Sequence, residues 1–215
     1  MTKLRLNRPE KAANGFSWSS LRLKLEPLLF WLLILFLPTQ LGKHFWPDFA
    51  IVAGIRIDYL SPTLYLTDVV VVGLFIVWLI NHVHTLKWQK LKNFSILVIF
   101  WLYLILNIWL SHNLVNGFYH LLKFSEFVFV AYYVASVLKT SSALAKLALL
   151  LSCGVIFESL LAISQFLRQG SLGGIFYYFG ERLFSGITPG IANASINGVL
   201  ILRPYGTFSH PNVLA

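Results

Sequence analysis

Phe94-Ser95-Ile96-Leu97-Val98-Ile99-Phe100-Trp101-Leu102-Tyr103-Leu104-Ile105-Leu106-Asn107-Ile108-Trp109-Leu110 has Ser95 and Asn107 as its only polar side chains. The hydrocarbon core of a bilayer, about 30 Å thick, asks for roughly 20 mostly apolar residues per helix. With this stretch as the centre of a span at 93–110, four further segments qualify: 27–46, 62–80, 117–138 and 147–167. Composition agrees. The chain is 57% hydrophobic and 12% charged, against about 25% charged residues in a soluble domain. One cysteine in 215 residues excludes a disulfide framework and a Cys-based metal site. The fold class expected is an all-α polytopic membrane protein with five transmembrane helices.

The first apolar run, 28–37, follows a basic lead as a signal peptide would, but residues 38–44 lack the small-x-small cleavage pattern. It is therefore read as an uncleaved span that Pro38 kinks or ends. The placement of Lys and Arg sets the orientation. Alternate connecting segments carry eleven basic residues (in 1–24, 87–92 and 139–146) against five (Lys43, Arg56, Arg168, Arg182 and Arg203), with Lys123 alone inside a span. The positive-inside rule puts the N-terminus in the cytoplasm and 168–210 outside. The net charge of +9 thus reflects topology and excludes a nucleic-acid footprint. Attraction of the basic tail to membrane lipids is secondary. Three parts follow: a basic cytoplasmic tail over 1–24, a helical bundle over 25–167 and an extracytoplasmic loop over 168–215.

That loop is rich in glycine. An apolar face over 172–184 (Ile175, Phe176, Phe179, Leu183) predicts a short interfacial helix. Asn197-Gly198 between 191–196 and 199–202 predicts a β-hairpin. A second hairpin is expected around Gly54.

Charges within spans are costly, so Asp68, Lys123, Glu126 and Glu158 are the first chemical candidates. Lys123 and Glu126 are three residues apart and can pair along one helix. Either they neutralise each other and pin packing, or they line a polar cavity with Glu158 and with Gln165, seven residues further along the same helix face. Asp68 lies in early turns of its helix, where the dipole favours an acid. Outside the spans, Arg182 follows Gly180-Glu181 and Arg203 precedes Pro204-Tyr205-Gly206. A guanidinium among glycines that bring backbone close is suited to hold phosphate oxygens in bidentate fashion. Headgroup contact or pairing of Arg182 with Glu181 is the simpler alternative. No zinc, nucleotide or serine-hydrolase motif occurs.

The stretch 202–215 (Leu202-Arg203-Pro204-Tyr205-Gly206-Thr207-Phe208-Ser209-His210-Pro211-Asn212-Val213-Leu214-Ala215) resembles the junction between outer loop and helix in bacterial O-antigen ligase and polymerase-like membrane proteins. Residues 59–68, 120–126 and 180–182 resemble the same family in order and spacing. The resemblance implies a multi-pass protein of the bacterial inner membrane. Such a protein transfers glycan from an undecaprenyl-diphosphate carrier to a hydroxyl of a glycan or lipid acceptor in cell-surface polysaccharide synthesis, without metal or cofactor. It implies diphosphate contact by Arg203 first and Arg182 second, and a general base on a later loop, beyond residue 215. The chain is accordingly expected to be the N-terminal portion of such an enzyme and inactive alone. A non-catalytic membrane protein, such as a small-solute transporter relative or an assembly subunit, is the other expectation.

Overall fold

The structure is a computed structural model that describes residues 18–57, 60–85, 94–111 and 113–214. It is mostly helical. In chain order come α1 (Trp18–Phe36), β1 (Gly42–His44), β2 (Ile51–Val52), β3 (Ile55–Arg56), β4 (Thr63–Tyr65), α2 (Leu66–His82), α3 (Phe94–Trp109), α4 (Leu114–Val137), α5 (Ser141–Arg168), β5 (Asn193–Ile196), β6 (Val199–Leu202) and the single turn α6 (Pro211–Leu214). α4 and α5 are long and apolar enough to cross a membrane.

The helices fall close to the five expected segments, with three corrections. The first helix runs Trp18–Phe36 rather than over 27–46. Pro27 is accommodated inside it, because an interior proline removes one backbone donor and need not stop a helix whose neighbours favour it. At Pro38 the helix gives way to a turn over residues 37–38, where a proline disfavours continued helix at the residue before it. The freed end is closed by the Thr39 hydroxyl, which donates to Phe36 O at 2.8 Å. The second helix starts at Leu66, not at 62, since Thr63–Tyr65 pairs with Gly42–His44. α5 starts six residues before the expected 147, where Thr140 Oγ1 accepts from Ala143 N at 3.2 Å. The tail 1–17, the basic positions 87–92, Asp58, Tyr59 and His112 lie outside the described residues.

The β-structure goes one sheet beyond the two expected hairpins. Three two-stranded antiparallel sheets are present among the described residues. Both expected hairpins form. Their two-residue turns, Ala53-Gly54 and Asn197-Gly198, have positive φ at both positions (53° and 78°, 52° and 79°), the geometry that matches the twist of the flanking strands. The interfacial helix expected over 172–184 shrinks to a 3₁₀ segment, Gly174–Phe179. It is stopped by Gly180 at φ 99°, after which Glu181 and Phe184 turn inward while Arg182 and Leu183 stay exposed.

Successive helices run in alternating directions. The end of α1 meets the loop after β6 (Thr207 Oγ1 donates to Pro38 O, 2.7 Å), and the start of α4 meets the approach to α2 (Tyr119 Oη donates to Thr63 O, 3.1 Å). At the opposite end Glu26 of α1 accepts from Asn81 of α2 (2.7 Å) and Tyr133 of α4 (3.2 Å). The apolar centre between these ends is Phe30, Ile34, Leu74 and Tyr133, drawn from α1, α2 and α4. α5 approaches α1 closely where Gly154 faces Pro38; a Cβ there would come within 2.7 Å of the proline ring. All the strands and the glycine-rich segment therefore collect at one end of the bundle.

Candidate functional site

Two polar clusters lie beneath that end. In the first, Lys123 of α4 forms ion pairs with Asp68 of α2 and, at 3.6 Å, with Glu126 one turn along its own helix. Asp68 also accepts the Tyr65 N–H at 2.7 Å, closing the first turn of α2. One carboxylate thus serves as helix cap and as interhelical partner. The Lys123 ammonium lies 5.3 Å from the Tyr65 ring centre and 5.5 Å from that of Tyr119, within the range at which an aromatic face attracts a cation.

The second cluster sits on α5. Gln165 is fully buried; its Oε1 accepts from Tyr205 N (3.0 Å) and Gly206 N (2.8 Å), and its Nε2 donates to Gly206 O and Glu181 Oε1, both at 2.9 Å. Glu158, two turns earlier, accepts from Thr207 N (2.9 Å), and its Oε1 lies 2.7 Å from Thr207 Oγ1, whose single proton is shared between Glu158 and Pro38 O. Glu181 completes the set by accepting Leu172 N and Gly173 N, each at 2.7 Å. A buried backbone donor without a partner costs about 1–3 kcal/mol, and here side chains of α5 satisfy three consecutive N–H groups of a non-helical segment. Thr207 reaches a point ten residues before the end of α5, about 15 Å below it. Gly206 makes that descent with φ 59°, pressed so closely on Glu158 that no Cβ fits.

Between these clusters and the surface lies a half-open cavity of about 650 Å³. Its wall includes His44 and Thr63 from the β1–β4 sheet, Tyr65 and Tyr119 above Lys123, His120, Tyr177 and Arg182, with Thr207 beneath. Arg182 is exposed and spends one N–H on Ser209 O at 3.1 Å. Since a guanidinium carries five donors, most remain for a ligand.

The expected site residues therefore separate. Arg182 lines the cavity. Arg203 does not; its Nη2 donates to Asn212 Oδ1 at 2.8 Å, bracing the start of α6. Lys123 and Glu126 stand behind the tyrosines of the wall, whereas Glu158 and Gln165 hold the loop and belong to a different cluster, so the four do not share one polar cavity. Arg182 is not paired with Glu181, whose oxygens are taken by backbone and Gln165. Sequence reasoning missed Glu26, which falls inside α1 once that helix starts at Trp18, and His44, which stood in an expected span as one of six scattered histidines. Gly42-Lys43-His44 carries no polar–apolar alternation, so nothing local reveals a strand there. Comparison with models of known families, with curated proteins and with solved structures gave no match.

Proposed function

We propose that the chain is a five-span protein of the bacterial cytoplasmic membrane, with its N-terminus inside. Its outer cavity binds an undecaprenyl-diphosphate-linked glycan for transfer to an acceptor hydroxyl, as in O-antigen ligase and polymerase-like proteins. The observation that carries this reading is convergence. The four stretches that resemble that family lie far apart in sequence, yet each contributes to the wall of one cavity: Tyr65, His120, Arg182 and Thr207. Arg182 supplies a planar donor fork to a diphosphate leaving group, where negative charge grows in the transition state. Arg203 acts at one remove by holding Asn212.

Alternating helix directions and the collection of the strands and the glycine-rich segment at the less basic end support the topology. The descent of residues 205–207 along α5 fits it as well. Irregular backbone at membrane depth is tolerated only where protein groups satisfy it, and Glu158 and Gln165 do so here. The separation of Lys123 and Glu126 from Glu158 counts against a transport path running through all three.

Two measurements test the proposal. With Cys153 changed to Ala, cysteines at Ser171 and Ser195 should react with an impermeant thiol reagent in intact cells and one at Ser142 should not; labelling at Ser142 alone would invert the topology. The chain in lipid nanodiscs should bind undecaprenyl diphosphate, and Arg182→Ala should weaken binding at least tenfold. Arg182→Lys should do nearly as badly, since an ammonium is a point charge. Undiminished binding by Arg182→Ala would remove Arg182 from the site, and absence of binding by the wild-type chain would remove the function.

A further inference from the structure

We propose that His44 is the hydrogen-bond acceptor of a sugar subsite in the cavity, held as one tautomer with its proton on Nδ1 and the Nε2 lone pair left for a ligand hydroxyl. The inference rests on the cavity being a glycan-carrier site and adds to it the place where the sugar, as distinct from the diphosphate, is read.

The β1–β4 register sets His44 opposite Thr63. Thr63 Oγ1 lies 2.8 Å and Ser61 Oγ 3.5 Å from His44 Nδ1. Both hydroxyl residues are 4% exposed, and both protons have carbonyl partners: Ser61 Oγ donates to Phe45 O at 2.8 Å and Thr63 Oγ1 to Ser61 O at 3.1 Å. A carbonyl only accepts; with Ser61 and Thr63 donating to their carbonyls, the hydroxyls turn lone pairs toward the imidazole and Nδ1 is the donor. That leaves Nε2 as the acceptor, and it has no partner among the described residues. The ring itself is exposed at the cavity wall and stacks on Trp46, centroids 5.8 Å apart and planes 22° apart. A second hydrogen bond that selects the tautomer and aims the free nitrogen is how a working histidine is usually prepared.

The cavity thus has two chemically opposite poles. Arg182 offers only donors and suits phosphate oxygens. The His44 side offers acceptors: Nε2, together with the lone pairs of Tyr119 Oη, whose proton goes to Thr63 O. A ligand that satisfies an acceptor pole must be rich in O–H groups. Tyr177, 51% exposed on the same wall, adds a flat apolar face of the kind a pyranose C–H face packs against. A glycosyl diphosphate matches both poles with one molecule.

The test compares undecaprenyl diphosphate with its glucosyl derivative, both offered to the chain in nanodiscs. Wild type should bind the glycosylated carrier about tenfold more tightly, the order expected for about 1.4 kcal/mol of added hydrogen bonding. His44→Phe keeps a stacking ring and should erase that preference while leaving affinity for the bare carrier unchanged. His44→Asn, which can still donate to Thr63 but has nothing at the Nε2 position, should do the same if the phenylalanine variant fails to fold. Nitrogen-15 spectra of labelled histidine should show His44 protonated at Nδ1, with Nε2 shifting on addition of the glucosyl carrier only. Equal binding of both carriers by wild type, retained preference in both variants, or a proton on Nε2 would each overturn the subsite and leave the diphosphate reading standing. Wild type binding neither carrier would overturn both readings.

Discussion

The two polar clusters solve the same problem by different means. Between α2 and α4, two carboxylates share one cation, and among the described residues Lys123 is the only group that balances Asp68 and Glu126. Around α5, Glu158 and Glu181 have no cation among their partners in the described residues and are held by backbone N–H groups, one hydroxyl and one amide. The first arrangement joins two helices, where Asp68 takes the backbone donor at the start of α2 (Tyr65 N) and the charge of both carboxylates is left to a cation. The second joins a helix to a loop, whose free N–H groups are what needs satisfying. Charge pairing is thus confined to the helix–helix contact, and neutral donors fasten the irregular segment that carries Thr207 into the cavity.

Removing the shared cation should have the largest effect. Lys123→Met leaves two carboxylates in one half-buried site without compensation, and breaking such a pair from one side costs about 3–5 kcal/mol. Thermal unfolding in detergent should show a large loss. Adding Glu126→Gln alone should recover little, because Asp68 remains unbalanced, whereas Lys123→Met with both Asp68→Asn and Glu126→Gln should recover most of it. Full recovery by the double variant would mean that Asp68 is only a helix cap.

Cutting the loop cluster should cost somewhat less. Gln165→Leu strands Tyr205 N and Gly206 N, at about 1–3 kcal/mol for a group left dry. The segment 203–209 should peel away from α5 rather than stay dry, limiting the loss to about 3 kcal/mol and exposing a cysteine placed at Ser209 to faster modification. Unchanged modification would show that the loop is held mainly by the packing of Phe184, Leu202 and Tyr205. Glu158→Gln should be mildest. The amide oxygen can still accept Thr207 N while the Thr207 hydroxyl keeps its bond to Pro38 O, so a loss of about 1 kcal/mol is expected. A loss as large as that of Lys123→Met would mean that the charge on Glu158, not its hydrogen bonding, fastens the loop.

The helices were legible in the chain because each is long, apolar and bounded by proline, by a capping side chain or by a change of composition. The Asn197-Gly198 hairpin was legible for a similar reason, a backbone demand that few residue pairs meet. Three- and two-residue strands carry no comparable periodicity, so β1 and β4 were invisible and the first two helices were drawn too late and too early. The late start left Glu26 just ahead of the expected first span, and the missing strands left His44 without a context.

Local sequence therefore determined where the chain becomes helical and apolar, and which residues are costly to bury: Asp68, Lys123, Glu126 and Glu158 were all identifiable from identity and position. Only the tertiary structure decided who partners whom. That Lys123 meets Asp68 across 55 residues of chain, that Gln165 meets Gly206 across 41, and that Arg182 rather than Arg203 faces the cavity depend on how helices pack and how a loop folds back on them. The physical reason is that a helix forms from bonds four residues apart, whereas the partner of a buried charge or donor is chosen by whatever the packing brings within about 3 Å.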